Sequence, residues 1–284
     1  MKFTDLHGYS DFARLYDTAI RTADIKQHPD FGKRHLEVLD IQGGNGILGR
    51  RLLADGLEGK VDYTNVDTDK ELLKQSPGRA LAADSNFLSD RLTGKFDYIF
   101  ILNHDSHIWL PYMADTNNSF SANYVKVEGG KGLISSILLL QAAAYLRANG
   151  AFIIGGVPTE GKINALSDYL RKLNAGMELK SMETLGLDDE TAKAFASYDV
   201  AMEIRAEPVR KNGSISFQKP SPEEIQMIIE RAIPSYSALM VASFERDGKA
   251  GSSNSIKNEL VQQEKQLQAF FDYLMSMDRC GGFE

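Results

Sequence analysis

Apolar and polar positions along the chain alternate between two rhythms. Leu36-Glu37-Val38-Leu39-Asp40-Ile41 is apolar on both faces and runs into Gln42-Gly43-Gly44-Asn45-Gly46, so it reads as a buried strand followed by a tight turn. Ile47 to Ala54 then carries a helical spacing. A second strand is expected over Val61–Val66, stopping at Asp67, and a helix over Lys70–Gln75, ending before Pro77. Ala80–Ala83 is a short third strand ending at Asp84, and Phe96–Leu102 is a fourth. Strands that alternate with helices and are apolar on both sides predict a parallel sheet covered on each face.

The pattern continues beyond residue 130. Ile134, Ile137, Leu138, Gln141 and Tyr145 share a helical face, and Asn149-Gly150 is a stop signal. Ala151–Gly155 reads as a fifth strand, and Ile163, Leu166, Leu170 and Leu173 mark the next helix. Met177–Thr184 and Val200–Ala206 are expected as two further strands, which closes the core near Pro208. Ser221-Pro222-Glu223-Glu224 opens a helix with a capping box and a proline in the first turn. Ile256, Leu260, Leu267, Phe271 and Leu274 stripe a long final helix, which suits core packing, a substrate lid or the seam of a homodimer. The expected organisation is an N-terminal helical cover (1–35), an α/β core (36–207) and a mainly helical C-terminal extension (208–284). The core is expected to be Rossmann-like, a mostly parallel seven-stranded sheet with helices on both faces.

Composition narrows the function classes. The chain has 284 residues, Lys+Arg 32 against Asp+Glu 39, and a formal net charge of -7. That acidic balance argues against a protein that coats nucleic acid, whose affinity rests on neutralising phosphates. One cysteine, Cys280, allows no disulfide framework and no cysteine zinc site, which fits a reducing compartment. The apolar stretch from Leu133 to Leu146 is broken by Ser135, Ser136 and Gln141 and falls short of the roughly 20 residues of a membrane span. A soluble, cytoplasmic protein with no membrane partner is therefore expected.

The turn after the first strand carries the candidate chemistry. A glycine-rich turn between strand and helix lets a ligand approach the backbone and meet helix N–H groups. Gly44-Asn45-Gly46-Ile47-Leu48-Gly49 satisfies the dinucleotide fingerprint, with Asp67 about 20 residues on, so an NAD(P)-dependent oxidoreductase is one reading. Asp40 stands against it, because a carboxylate at the mouth of the turn repels a pyrophosphate. S-adenosylmethionine carries a sulfonium and an ammonium instead, and an acidic turn suits both.

From about residue 9 to 207 the sequence resembles the class I S-adenosylmethionine-dependent methyltransferases. Their first motif, an acidic residue followed by three alternating glycines, is matched by Asp40, Gly44 and Gly46, while Gln42 stands where the first glycine is usual. The resemblance implies that Gln42, Gly43, Gly44 and Gly46 border the methyl donor. It also implies that Asp67, with Thr68 beside it, binds the ribose hydroxyls, and that Asp84 with Ser85 meets the adenine. Phe96-Asp97-Tyr98-Ile99-Phe100 resembles the family's fourth-strand segment, and Leu146–Ala151 its turn before strand five. Tyr9–Asp17 is similar to the family's covering helix, which makes Tyr16 a donor contact, and Asn103 another at the end of strand four.

The acceptor is expected beside strand four, where Asn103-His104-Asp105-Ser106-His107-Ile108-Trp109 gathers two histidines, a carboxylate and the single tryptophan. A hydroxyl or amine acceptor must shed a proton, and His107 or His104, with Asp105 as orienter or second base, is placed to take it. The same three side chains could instead hold a divalent cation, although no second cluster supports a metal site. Pro111–Gly132 is a long connection rich in Tyr and Asn that suits a substrate-covering loop. The expected function is transfer of a methyl group from S-adenosylmethionine to an oxygen or nitrogen of a small molecule. The alternatives are the oxidoreductase, a non-catalytic protein of the same fold, and an enzyme that uses the sulfonium donor for another reaction.

Overall fold

Buried strand segments separated by amphipathic helices collapse into one seven-stranded sheet. The computed structural model describes residues 10–102, 131–157, 159–206, 209–211, 214–216, 221–247 and 254–279. The strands are β1 (Leu36–Ile41), β2 (Val61–Asp67), β3 (Arg79–Ala82), β4 (Phe96–Ile101), β5 (Leu146–Val157), β6 (Met177–Gly186), a small separate hairpin of β7 (Val209–Lys211) and β8 (Ser214–Ser216), and β9 (Ala238–Arg246). Their order in the main sheet is β3-β2-β1-β4-β5-β9-β6, with β9 antiparallel to both its neighbours and every other pairing parallel. The helices are α1 (Ser10–Ala23), α2 (Ile47–Leu52), α3 (Lys70–Leu73), α4 (Lys131–Tyr145), α5 (Glu160–Lys172), α6 (Asp189–Ala206), α7 (Pro222–Ala232) and α8 (Asn254–Arg279).

The two faces follow from the period of two along each strand. Leu39, Ile41, Ile99, Ile101, Phe152, Ile154 and Phe244 pack with buried residues of α4, α5 and α8. Leu36, Val38, Tyr98, Phe100, Ile153, Leu239 and Val241 pack on the other side with α1, α2 and α6. The expected N-terminal cover is thus a core element, since Leu15, Tyr16, Ala19 and Ile20 of α1 are buried against the sheet. Tyr9 lies outside the described residues.

Two expectations are corrected. Val200–Ala206 is not a strand but the end of α6, which starts where Asp188 accepts a hydrogen bond from the Thr191 amide (2.7 Å). The seventh strand is β9, which inserts between β5 and β6, so the core does not close near Pro208 and includes residues assigned above to the extension. The stripe on α8 is likewise core packing over its described part. Ile256, Leu260 and Leu267 are buried against the same chain, and the side chains of Phe271 and Leu274 lie outside the description.

A charged staple closes the amino edge of the sheet. Asp97 at the start of β4 is fully buried and accepts from Arg34 Nη1 and Nη2 (2.7 Å each), Arg147 Nη1 (2.9 Å) and the Glu37 amide (2.8 Å). Burial alone would raise its pKa, but these four donors together hold the carboxyl below its usual range. His28 Nε2 lies 3.9 Å from the same carboxylate, and burial pushes that imidazole down. In the sequence Asp97 stands only within the fourth-strand segment Phe96–Phe100. Its partners show that it joins the segment before β1 to β4 and to the opening residues of β5, which begins at Leu146 where a turn was expected.

Candidate functional site

The strand order reverses direction between β1 and β4, and open α/β sheets take ligands in the crevice outside the carboxyl ends at that reversal. The turn that follows β1 therefore sits where the fold provides a site. Its backbone is fastened to β2, because the amides of Gln42 and Gly43 both reach Val66 O (2.8 and 3.2 Å). Gly46, at φ +76, caps α2.

Asp40 does not stand at the mouth of this turn. It shares the parity of Leu36 and Val38, so its side chain enters the core beneath the turn and is 1% exposed. Tyr63 donates its hydroxyl to Asp40 Oδ2 at 2.6 Å, and a Cβ on Gly43 would collide with Asp40 and with Asn65 Oδ1. Burial pushes the Asp40 carboxyl up to about 7, opposed by the Tyr63 hydrogen bond and reinforced by the charge of Asp67. Tyr16 is buried 4% exposed within electrostatic reach of Asp40, and burial raises its phenol.

Asp67 is the carboxylate that meets the turn. Its Oδ2 accepts from the Gly44 amide (2.9 Å), and its Oδ1 accepts from the Asp69 amide (2.9 Å). Each oxygen keeps a further lone pair. A side chain at Gly44 would meet nothing closer than Leu72 Cδ1 at 4.0 Å, so the outer face of the turn is open beside Asp67. Thr68 follows, exposed. Asp84, after β3, is exposed and accepts from the Asn86 amide (2.9 Å) and the Asn86 side-chain amide (2.8 Å), both at Oδ1.

Gln42 has φ +63, in the left-handed region that costs a residue with a Cβ roughly 1–2 kcal/mol. Its Nε2 donates to Ser85 Oγ at 3.0 Å. Ser85, 5% exposed, is held in turn by Gln141 of α4, whose Nε2 donates to Ser85 O at 2.8 Å. Asp40, Gln42, Gly43, Gly44, Gly46, Asp67, Thr68, Asp84 and Ser85 are thus gathered at one sheet edge, with Tyr16 beneath it.

Three contributors escaped the sequence reading: Tyr63, Asn65 and Gln141. Asn65 pairs directly with Asp40 across the two strands, and its Nδ2 donates to Gly44 O (2.9 Å) and Ser76 Oγ (3.1 Å). A polar residue inside a buried strand was its signal, as was Gln141 within the otherwise apolar run ILLLQAAAY. Tyr63 could have been found by counting two residues back from Asn65.

Asn103, His104, Asp105 and His107 lie outside the described residues, as does the 111–130 part of the expected lid. An open groove of about 850 Å³ lies at the opposite, amino edge, bordered by His28, Tyr98, Asn149, Lys180 and Glu245, far from the glycine turn. Among the described residues, no helix is long and apolar enough to cross a membrane.

No protein-family model matches the sequence, and no curated protein matches it. Solved structures do resemble it in shape. TrmN from Thermus thermophilus is 15% identical with a TM-score of 0.44, covering 86% of this chain, which spans 52% of that protein. The plantazolicin methyltransferase BpumL, solved with a monoazolic desmethylPZN analog and SAH, is 13% identical with a TM-score of 0.43, covering 85% of this chain and 86% of its own. Coclaurine N-methyltransferase, bound to N-methylheliamine and SAH, is 11% identical with a TM-score of 0.43, covering 83% of this chain and 72% of its own. Each is a protein this chain is similar to, and no residue here takes a role from them.

Proposed function

We propose that the chain is an S-adenosylmethionine-dependent methyltransferase that methylates an oxygen or nitrogen of a small molecule. The contact between Asp67 and Gly44 carries this reading. A dinucleotide site needs the amides of the turn and the helix N-terminus for a doubly negative pyrophosphate. Here the Gly44 amide is already given to Asp67 at 2.9 Å, which sets a carboxylate at that position. A nucleoside bearing a sulfonium and an ammonium suits this charge. The sheet order adds to the argument, since the dinucleotide fold runs 3-2-1-4-5-6 whereas here an antiparallel strand enters before the sixth.

The residues present fit that donor. Gly44 leaves open space over the turn, Asp67 retains lone pairs for ribose hydroxyls, and Asp84 with Ser85 stands on the adenine side. When bound, the donor supplies an electrophilic methyl group. The chain's own contribution is to hold the acceptor in line, an effect worth roughly 7–11 kcal/mol of barrier. His107 or His104, oriented by Asp105, takes the acceptor's proton, worth about 10²–10⁴-fold. Their place in the sequence directly after β4 supports this, because that strand ends at the same sheet edge.

Titration calorimetry of the full chain tests the reading. S-adenosylhomocysteine is expected to bind, with affinity lost in Asp67→Ala, and NAD and NADP are expected not to bind. Binding of NAD in place of the homocysteine ligand would overturn it. His104→Ala and His107→Ala should keep donor affinity while at least one loses turnover; full turnover in both removes the general base.

A further inference from the structure

Gln42 presents a contradiction at the centre of the turn. Its backbone is in the conformation that favours glycine, at φ +63, yet a long amide side chain is kept there. Strain of this kind persists where the surroundings give the side chain a task. The task visible here is a bridge, Nε2 to Ser85 Oγ at 3.0 Å, from the end of β1 to the segment after β3.

That segment is otherwise fastened from below. Gln141 holds Ser85 O, Tyr145 donates its hydroxyl to Ser89 O (3.1 Å), and Glu264 of α8 accepts from the amides of Leu88 (3.2 Å) and Ser89 (3.1 Å). These contacts fix its height on the α4 and α8 face. The Gln42 amide runs sideways, across the crevice between the turn and the wall that carries Asp84. Both ends of the bridge are anchored, Gln42 through its amide to Val66 O and Ser85 through the fully buried Gln141.

We propose that Gln42 is a positioning residue of the donor site: bridged to Ser85, it locks the glycine turn to the segment after β3 at the width that an S-adenosyl ligand requires. The inference rests on the reading of the site as a donor site. A glycine here would relieve the backbone and release the two walls from each other. The bridge, not the mere bulk of the side chain, sets the spacing.

Calorimetry with S-adenosylhomocysteine, paired with thermal melts of the ligand-free chain, tests this on wild type, Gln42→Gly, Gln42→Met, Ser85→Ala and the double variant Gln42→Met/Ser85→Ala. Gln42→Met and Ser85→Ala are each expected to lose roughly tenfold in affinity, and the double variant no more than either alone. Gln42→Gly should bind equally weakly while melting no lower than wild type, a split that a purely structural role would not give. Unchanged affinity in Gln42→Met or Ser85→Ala, or losses that multiply in the double variant, would overturn the bridge. If wild type itself takes up no S-adenosyl ligand, the donor reading fails and this inference with it. If wild type binds and Gln42→Met binds as well, the inference alone fails.

Discussion

Replacing Asp97 by alanine removes one carboxylate and strands four donors. The Glu37 amide is enclosed at the start of β1 and loses its acceptor, which costs about 1–3 kcal/mol. Arg34 and Arg147 have side chains 37% and 35% exposed, so both guanidiniums can turn to water and the loss of their bonds must be discounted. Breaking a buried ion pair from one side costs about 3–5 kcal/mol when the remaining charge is trapped. With both cations able to escape, the expected loss lies at the low end, about 3 kcal/mol. Asp97→Asn keeps the shape and one acceptor but turns an amide towards the guanidiniums, so about 2 kcal/mol is expected. Urea unfolding checks both values, with the slope unchanged and the midpoint shifted. The carboxyl is held below its usual range, so its contribution is present above about pH 4 and fades as pH falls through the lowered value. The wild-type and Asp97→Asn stabilities must therefore converge in acid. A loss below about 1 kcal/mol, or curves that stay parallel down to pH 2, would refute the staple.

Two further outcomes follow from the geometry. Asp40 takes up its proton near 7 in the folded chain instead of 3.8, so its contribution is complete below about pH 4 and is lost as pH rises towards 7; melts of Asp40→Asn should therefore gain on wild type across that window, and parallel curves would contradict its burial. Glu264→Ala leaves the Leu88 and Ser89 amides without their acceptor, so a loss of about 2–4 kcal/mol is expected in chemical unfolding, with Glu264→Gln milder.

The first four strands were legible because each is a short β-prone run closed by a turn residue, and the aspartates that end β2 and follow β3 mark the carboxyl edge. The sequence could not show which way Asp40 points. Its position next to the turn suggested the mouth, whereas strand parity with Leu36 and Val38 sends it into the core. β9 was missed for a different reason. Ala238-Leu239-Met240-Val241-Ala242-Ser243-Phe244 is mostly helix-forming, and burial on both faces removes the alternation that marks a half-exposed strand. Its pairing partners lie far away along the chain. Val200 and Ile204 misled in the opposite sense, since a spacing of four belongs to a helix face and the Asp188 cap starts that helix well upstream. The bridge from Gln42 to Ser85 joins residues 43 positions apart and has no local signature at all.

The late arrival of β9 has a consequence for how the chain reaches its native state. β5 must wait for its antiparallel neighbour while about 80 residues are synthesised, roughly 4–16 s at ribosomal rates. During that interval the backbone edge carrying Phe152, Ile153 and Ile154 is unsaturated, a template for pairing with any other extended chain. Nascent polypeptides arrested before Ala238 should accordingly depend on chaperones and aggregate without them, however complete their glycine turn.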